Sequence, residues 1–168
     1  FPEIPKWHAD IKIKLVTTRQ ITTPLGRRCF FPGRPTDNDT IKSAIAYGPQ
    51  STIGDILNLG FFRVWKLFDS WSGKDKPIQI LTQVHDSILI QYDPKDEETL
   101  IPLVRDALQV PITINNQLCK IGVDVQVGWN WGKYKKDNIF GLKDWDGKDD
   151  RQAPPESSIL DRRLSELH

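Results

Sequence analysis

Two adjacent ionisable residues interrupt an otherwise apolar run. In "LTQVHDSILIQY", residues 81–92, His85 and Asp86 fall where one β-rich segment ends and another begins. A two-residue hairpin turn favours Asn-Gly or Asp-Gly, because its central residues can need positive φ. His and Asp tolerate that region better than most side chains, at some strain. A carboxylate held at the rim of a sheet can ligate a hard cation such as Mg²⁺, which takes one or two carboxylates together with substrate phosphates. Asp86 supplies one. The same pair also suits a solvent-exposed polar hairpin tip, and pattern alone leaves both readings open. An acid–base pair made of His85 and Asp86 is disfavoured, because neighbours on a tight turn seldom face each other and no nucleophile accompanies them.

The elements that must hold this turn are legible on either side of it. Ile78, Ile80, Thr82 and Val84 alternate with Gln79, Leu81, Gln83 and His85, and Ile88, Ile90 and Tyr92 alternate with Leu89 and Gln91. Residues 94–109 follow as an amphipathic helix whose acidic start, "PKDEE", suits the positive end of the helix dipole. "PITINNQLCKIGVDVQVGWNWG" reads as a second antiparallel pair around Asn115-Asn116. The order hairpin, helix, hairpin predicts an α+β fold, an antiparallel sheet with helices packed on one face.

Upstream, residues 1–19 read as a helix with Trp7, Ile11 and Leu15 at four-residue spacing. "QITTPLGRRCFFPGRP" reads as a hairpin carrying Arg27 and Arg28, with Pro24-Leu25-Gly26 at its turn and Arg34 beyond it. Residues 36–71 look helical. Pro49 should end or kink that helix at Gly48, with Ser51 or Thr52 capping a second helix whose stripe is Ile53, Ile56, Leu57, Phe61, Val64, Trp65 and Phe68. "SGKDKP" closes it. Residues 133–168 are charged and broken by Gly and Pro, so they read as an irregular tail ending in a short helix capped by Ser157 or Ser158.

The 168 residues suit one domain, and hydrophobic residues make up 38%, including six Trp and seven Phe, so a core can form. The formal charge is +1, from 23 Lys and Arg against 22 Asp and Glu, which gives no global nucleic-acid signature; a polyanion site must come from local clustering. Cys29 and Cys119 lack metal-ligand spacing and read as small core hydrophobes in a reducing compartment. No apolar run approaches the roughly 18 residues that span a membrane. The chain opens at Phe1 and holds no Met, from which a processed piece, an excised fragment or one part of a split protein is expected.

Five segments together carry a resemblance. "QVHDSILIQ" resembles the third catalytic motif of the family A, polymerase I-like DNA polymerases, usually Gln-Val-His-Asp-Glu. "TPLGRRCFFPGR" is similar to that family's Thr-Leu-x-Gly-Arg-Arg segment, and "KSAIAYGPQSTIGDILNLG" to its Arg-Ala-Ala-Ile-Asn-x-Pro-x-Gln-Gly-Thr-Ala-Ala-Asp-Ile segment. "FPEIPKWHADI" resembles the Phe-Pro-Gly-Ile stretch after the fingers helices, and "VPITINNQLCKIGVDVQVGWNWG" the closing strands. All five keep the family's order over residues 1 to about 132, and the "WNWG" ending looks most like phage enzymes. The resemblance implies roles position by position. Asp86 would bind the catalytic Mg²⁺ ions, and His85 would sit beside the primer 3′ end. Gln50 and Gln83 would meet the nascent duplex from the minor groove, where Gln can donate and accept. Lys42 would contact primer-template, and Arg27 and Arg28 would lie near the DNA or the palm.

The sequence departs from the family pattern at three places. Ser87 replaces the usual Glu and removes a second carboxylate. Ala46 replaces a common Asn. Lys42 replaces an Arg and gives up bidentate geometry. Two-metal phosphoryl transfer clamps attacking and leaving oxygens between cations about 3.5–4 Å apart, which one carboxylate cannot hold. The family's other Asp, in an Asp-Tyr-Ser-Gln-Ile-Glu type of motif, does not occur, nor do the triphosphate-binding fingers helix, the thumb or an exonuclease. The resemblance therefore implies residues 1–75 as the last fingers elements and palm helices, 76–132 as palm with the catalytic hairpin, and 133–168 as tail. It implies primer-template DNA, deoxynucleoside triphosphate and an N-terminal polymerase portion as partners, two shared Mg²⁺ ions, no membrane, and the cytoplasm of a bacterial or phage-infected cell. The alternative is a non-catalytic DNA-binding accessory domain that retains the palm fold.

Overall fold

The computed structural model describes residues 1–69, 77–147 and 153–154. Helix α1 spans Glu3–Thr17 and buries Ile11 and Leu15, two of the three residues at the predicted spacing; Trp7 stays 37% exposed. Strands β1 (Gln20–Thr22) and β2 (Arg28–Phe30) form the expected hairpin, with Gly26 at φ 87° where a side chain would be strained. Ile21 joins Ile11, Leu15 and Ala44 in a small core beneath it.

One prediction fails in the next element. Helix α2 runs unbroken from Asn38 to Asp69 with Pro49 inside it. The penalty for an internal proline is a lost backbone N–H and a clash with the preceding turn. Two neighbours ease it. Gly48 has no Cβ to collide with the proline ring, and the Thr52 hydroxyl donates to the Gly48 carbonyl at 2.7 Å. Thr52 is thus an internal back-bonding residue and not the cap of a second helix.

Strands β3 (Ile78–Val84) and β4 (Ser87–Tyr92) pair antiparallel, and α3 (Glu97–Leu108) follows after a 3-10 turn at Pro94–Asp96. Asp93 caps that turn, accepting from the Lys95 N–H at 3.1 Å. Strands β5 (Ile112–Ile114) and β6 (Gln117–Cys119) turn at Asn115 and Asn116, both at positive φ, as their sequence predicts for a primed two-residue turn. Val64 and Phe68 of α2, Leu100, Val104, Ala107 and Leu108 of α3, and Ile78 of β3 form the main core, with Ile80, Ile88, Ile90 and Tyr92 against it. Both helices therefore cover one face of the β3–β4 hairpin. Gly60 allows the closest approach: a Cβ there would lie 3.0 Å from the Leu108 Cα.

The fold is α+β with antiparallel pairing, but the pairing is local. Among the described residues each ladder joins just two strands: β1–β2, β3–β4, β5–β6, and β7 (Gln126–Val127) with β8 (Lys143–Asp144). Residues 133–147 are irregular apart from β8, as expected, and return to the body through it. Trp145 donates from Nε1 to Glu97 Oε1 at 3.2 Å, and Tyr92 Oη donates to Glu97 Oε2 at 2.7 Å. The short helix expected after Ser157 lies outside the described residues. Cys29 and Cys119 are both free and half-buried. Among the described residues no helix is long and apolar enough to cross a membrane.

Candidate active site

Val84 pairs with Ser87, so His85 and Asp86 are the two central residues of the β3–β4 turn. His85 has φ 51°, in the left-handed region, and Asp86 does not share it. The strain expected of this turn thus falls on the first central position alone. Ser87 Oγ donates to the Val84 carbonyl at 2.9 Å. The serine that stands in place of a second carboxylate closes the bend.

Asp86 is exposed and lies on the wall of a cleft of about 1390 Å³, shared with Leu57 of α2, Ile88 of β4, Val104 of α3 and Trp131. Its carboxylate makes no ion pair among the described residues, where the salt bridges are Arg27–Asp55 and Lys95–Asp93. It is therefore free to face a cation. It is also alone: among the described residues no three His, Cys, Asp or Glu side chains come together as a metal site. The donor set fits a one-carboxylate contribution and not a complete cage.

An irregularity interrupts β3 before Gln83. Ile80 pairs with Ile90 and Thr82 with Leu89, so Leu81 is an extra residue, 52% exposed. Before the bulge Ile78 and Ile80 face the helices. Beyond the bulge the register sets Gln83 opposite Ile88, yet Gln83 stays exposed while Thr82 and Val84 are half-buried, so the predicted alternation of β3 holds up to the turn. Gln83 Nε2 reaches Asn58 Oδ1 of α2 at 3.4 Å. Asn58 lies eight residues beyond Gln50, or about 12 Å along the helix. Lys42, Ala46, Gln50, Gly54 and Asn58 follow one another at four-residue steps on α2, and Lys42 and Gln50 are both exposed. The helix thereby links two of the sequence-predicted residues to the hairpin that carries a third. Asn58 escaped the sequence reading, although the same four-residue step from Gln50 leads to it.

Arg27 and Arg28 part company. The Arg27 fork closes on Asp55 of α2: Nε donates to Oδ1 at 2.9 Å and Oδ2 at 3.0 Å, and Nη2 also pairs with Oδ1. This hydrogen bond, and then the Asp55 charge, raise the guanidinium pKa above its already high ordinary value. Arg27 therefore anchors the β1–β2 hairpin to α2. Arg28, on β2, is exposed and carries no ion pair among the described residues.

Comparison with known proteins places this geometry. The profile of "DNA polymerase family A" matches residues 1–133. DNA polymerase I of Synechocystis sp. (strain ATCC 27184 / PCC 6803 / Kazusa) is 26% identical over 99 residues, which is 59% of this chain and 9% of that protein. The POL domain of Pol1 from M. smegmatis, solved in complex with DNA primer-template and dNTP, has the same fold over 67% of this chain and 20% of that one, with a TM-score of 0.57 at 21% identity. The chain thus spans far less than two thirds of either protein. The matched region contains both arginines of the first hairpin, the long proline-containing helix and the His85-Asp86 turn, and on that match the chain belongs to DNA polymerase family A.

Proposed function

We propose that the chain is the C-terminal catalytic portion of a template-directed DNA polymerase, which adds deoxynucleotides to a primer 3′ end and works together with a polymerase portion outside these residues. The observation that carries this reading is the Asp86 carboxylate, exposed on a cleft wall at a strained turn and in no ion pair among the described residues. When bound there, two Mg²⁺ ions would supply charge neutralisation at the reacting phosphate. Asp86 would contribute one carboxylate toward them, and the remaining donors would come from the other portion. His85, beside it at the tip, would position the primer end. Gln50 and Gln83 offer amides to the minor groove, and Lys42 and Arg28 offer charge to the DNA backbone. Arg27, held by Asp55, positions its neighbour and keeps only part of its fork for DNA.

The test is single-turnover primer extension by the complete polymerase. Asp86→Ala is expected to slow nucleotide addition by about 10²–10³-fold, the range for losing one preorganised electrostatic contact. Extension at near the unsubstituted rate would reject the metal-binding role. One observation favours a second reading, a non-catalytic DNA-binding domain that keeps the fold: Ser87 closes the turn and brings no second carboxylate. Mg²⁺-dependent extension separates the two.

A further inference from the structure

We infer that Asn58 is a positioning residue for Gln83: it fixes the Gln83 amide, and through that amide it sharpens the discrimination between paired and mispaired primer ends. The role rests on the minor-groove reading of Gln83, through which alone Asn58 acts.

Gln83 stands just before the His85-Asp86 turn, and its Nε2 donates to Asn58 Oδ1 at 3.4 Å. Gln79 and Gln91, paired across the same hairpin, make no side-chain hydrogen bond among the described residues, and neither does Gln50 on α2. The glutamine tied to the helix is thus the one beside the turn. The two ends of this bond differ in stiffness. Asn58 is short and rises from a held stretch of α2: Asp55 takes the Arg27 fork, Ile56 is buried, and Gly60 lies against Leu108. Gln83 is longer and has more rotamer freedom to lose. Asn58 therefore sets the geometry and Gln83 follows.

Both side chains are exposed, and a hydrogen bond between neutral amides in contact with water adds little to stability. Its consequence is orientation. With one N–H given to Asn58, the Gln83 amide keeps its second N–H and its oxygen for another partner, and it no longer turns freely. Correct base pairs present their minor-groove acceptors at set places. A free glutamine can turn to follow an acceptor that a mispair has displaced. One held by Asn58 cannot, and it loses that hydrogen bond. The surface beside the pair is open: a Cβ on Gly54, one turn before Asn58, would meet nothing within 4 Å. Nothing on that turn of α2 shields the amides from an approaching duplex.

The test is extension by the complete polymerase from matched and from mispaired primer ends, with the ratio of the two efficiencies as the readout. Asn58→Ala removes the acceptor and leaves a better helix former on an exposed face, so α2 is not weakened. It is expected to lower the ratio roughly three- to tenfold, what one neutral hydrogen bond contributes. Asn58→Asp keeps an acceptor at the same reach. Its charge repels matched and mispaired DNA alike, so the ratio is expected to stay. Gln83→Ala should lower the ratio at least as far as Asn58→Ala, and combining the two should lower it no further. A ratio that Gln83→Ala leaves unchanged would sink the minor-groove reading of Gln83, and the role of Asn58 with it. A ratio lowered by Gln83→Ala but not by Asn58→Ala overturns the positioning role alone, and so do additive effects of the two changes. Should Asn58→Ala not fold, by circular dichroism, Asn58→Leu, which also lacks an acceptor, takes its place.

Discussion

At His85 the chain holds a left-handed backbone that glycine would adopt without strain. A non-glycine residue in that region costs about 1–2 kcal/mol, and such strain gathers where a side chain is needed for function. His85→Gly is therefore expected to raise stability to urea by about 1 kcal/mol and, if the imidazole positions the primer end, to slow extension in the same protein. A variant that gained stability with full extension would leave His85 without a role. Glu97 shows the opposite case, a residue whose surroundings no local pattern reveals. Its position at the start of α3 suggested an ordinary helix-dipole acid. It is 1% exposed and accepts from Tyr92 and from Trp145, 48 residues away. Glu97→Ala leaves two half-buried donors without that acceptor and is expected to lower stability by about 1–3 kcal/mol. Tyr92→Phe removes one donor and is expected to cost about 1 kcal/mol. Urea denaturation followed by Trp fluorescence separates them.

Elements with their own chemistry written into them were legible, and elements decided by contacts at a distance were not. Asn115-Asn116 states its turn outright, because both residues tolerate positive φ. The α1 stripe and the β3–β4 hairpin follow from spacing. Pro49 misled because the rule for proline is local, while the remedy at Gly48 and Thr52 needs three residues read together. The bulge at Leu81 could not be read from the sequence because burial alternates along β3 on both sides of it, and only the partner register reveals the extra residue. The same limit applies to the site. Asp86 and His85 could be picked out by motif, but the diversion of Arg27 to Asp55 depends on an approach between elements 28 residues apart. Pro49 also leaves one helical hydrogen bond unmade. Pro49→Ala restores that donor and is expected to stabilise α2 by about 1–3 kcal/mol. If the irregularity at Pro49 sets the direction of Gln50, the same change raises the KM for primer-template more than it alters kcat. Equal stability would mean that the helix had already compensated fully.

At the scale of the molecule, apolar surface lies where the described residues provide no cover. Leu59, Phe62 and Trp65 on α2 are 45%, 50% and 44% exposed, and Ile13 and Val16 on α1 are 60% and 63% exposed. Phe62 and Trp65 stack with ring centres 5.8 Å apart, a ready-made ridge. Contiguous apolar surface of this kind marks an interface. If the proposed polymerase portion covers this ridge, the two rings bury about 2–4 kcal/mol of apolar surface between them. Replacing both Phe62 and Trp65 by Ser is then expected to weaken association with that portion roughly 30- to 800-fold. Extension should fall at low protein concentration and recover at high concentration, because Asp86 and its turn are untouched. The isolated chain with the same changes should bind less of a hydrophobic dye such as ANS. Loss of extension that no concentration restores would place the ridge in the reacting site itself, and unchanged association would show that the polymerase body covers some other face.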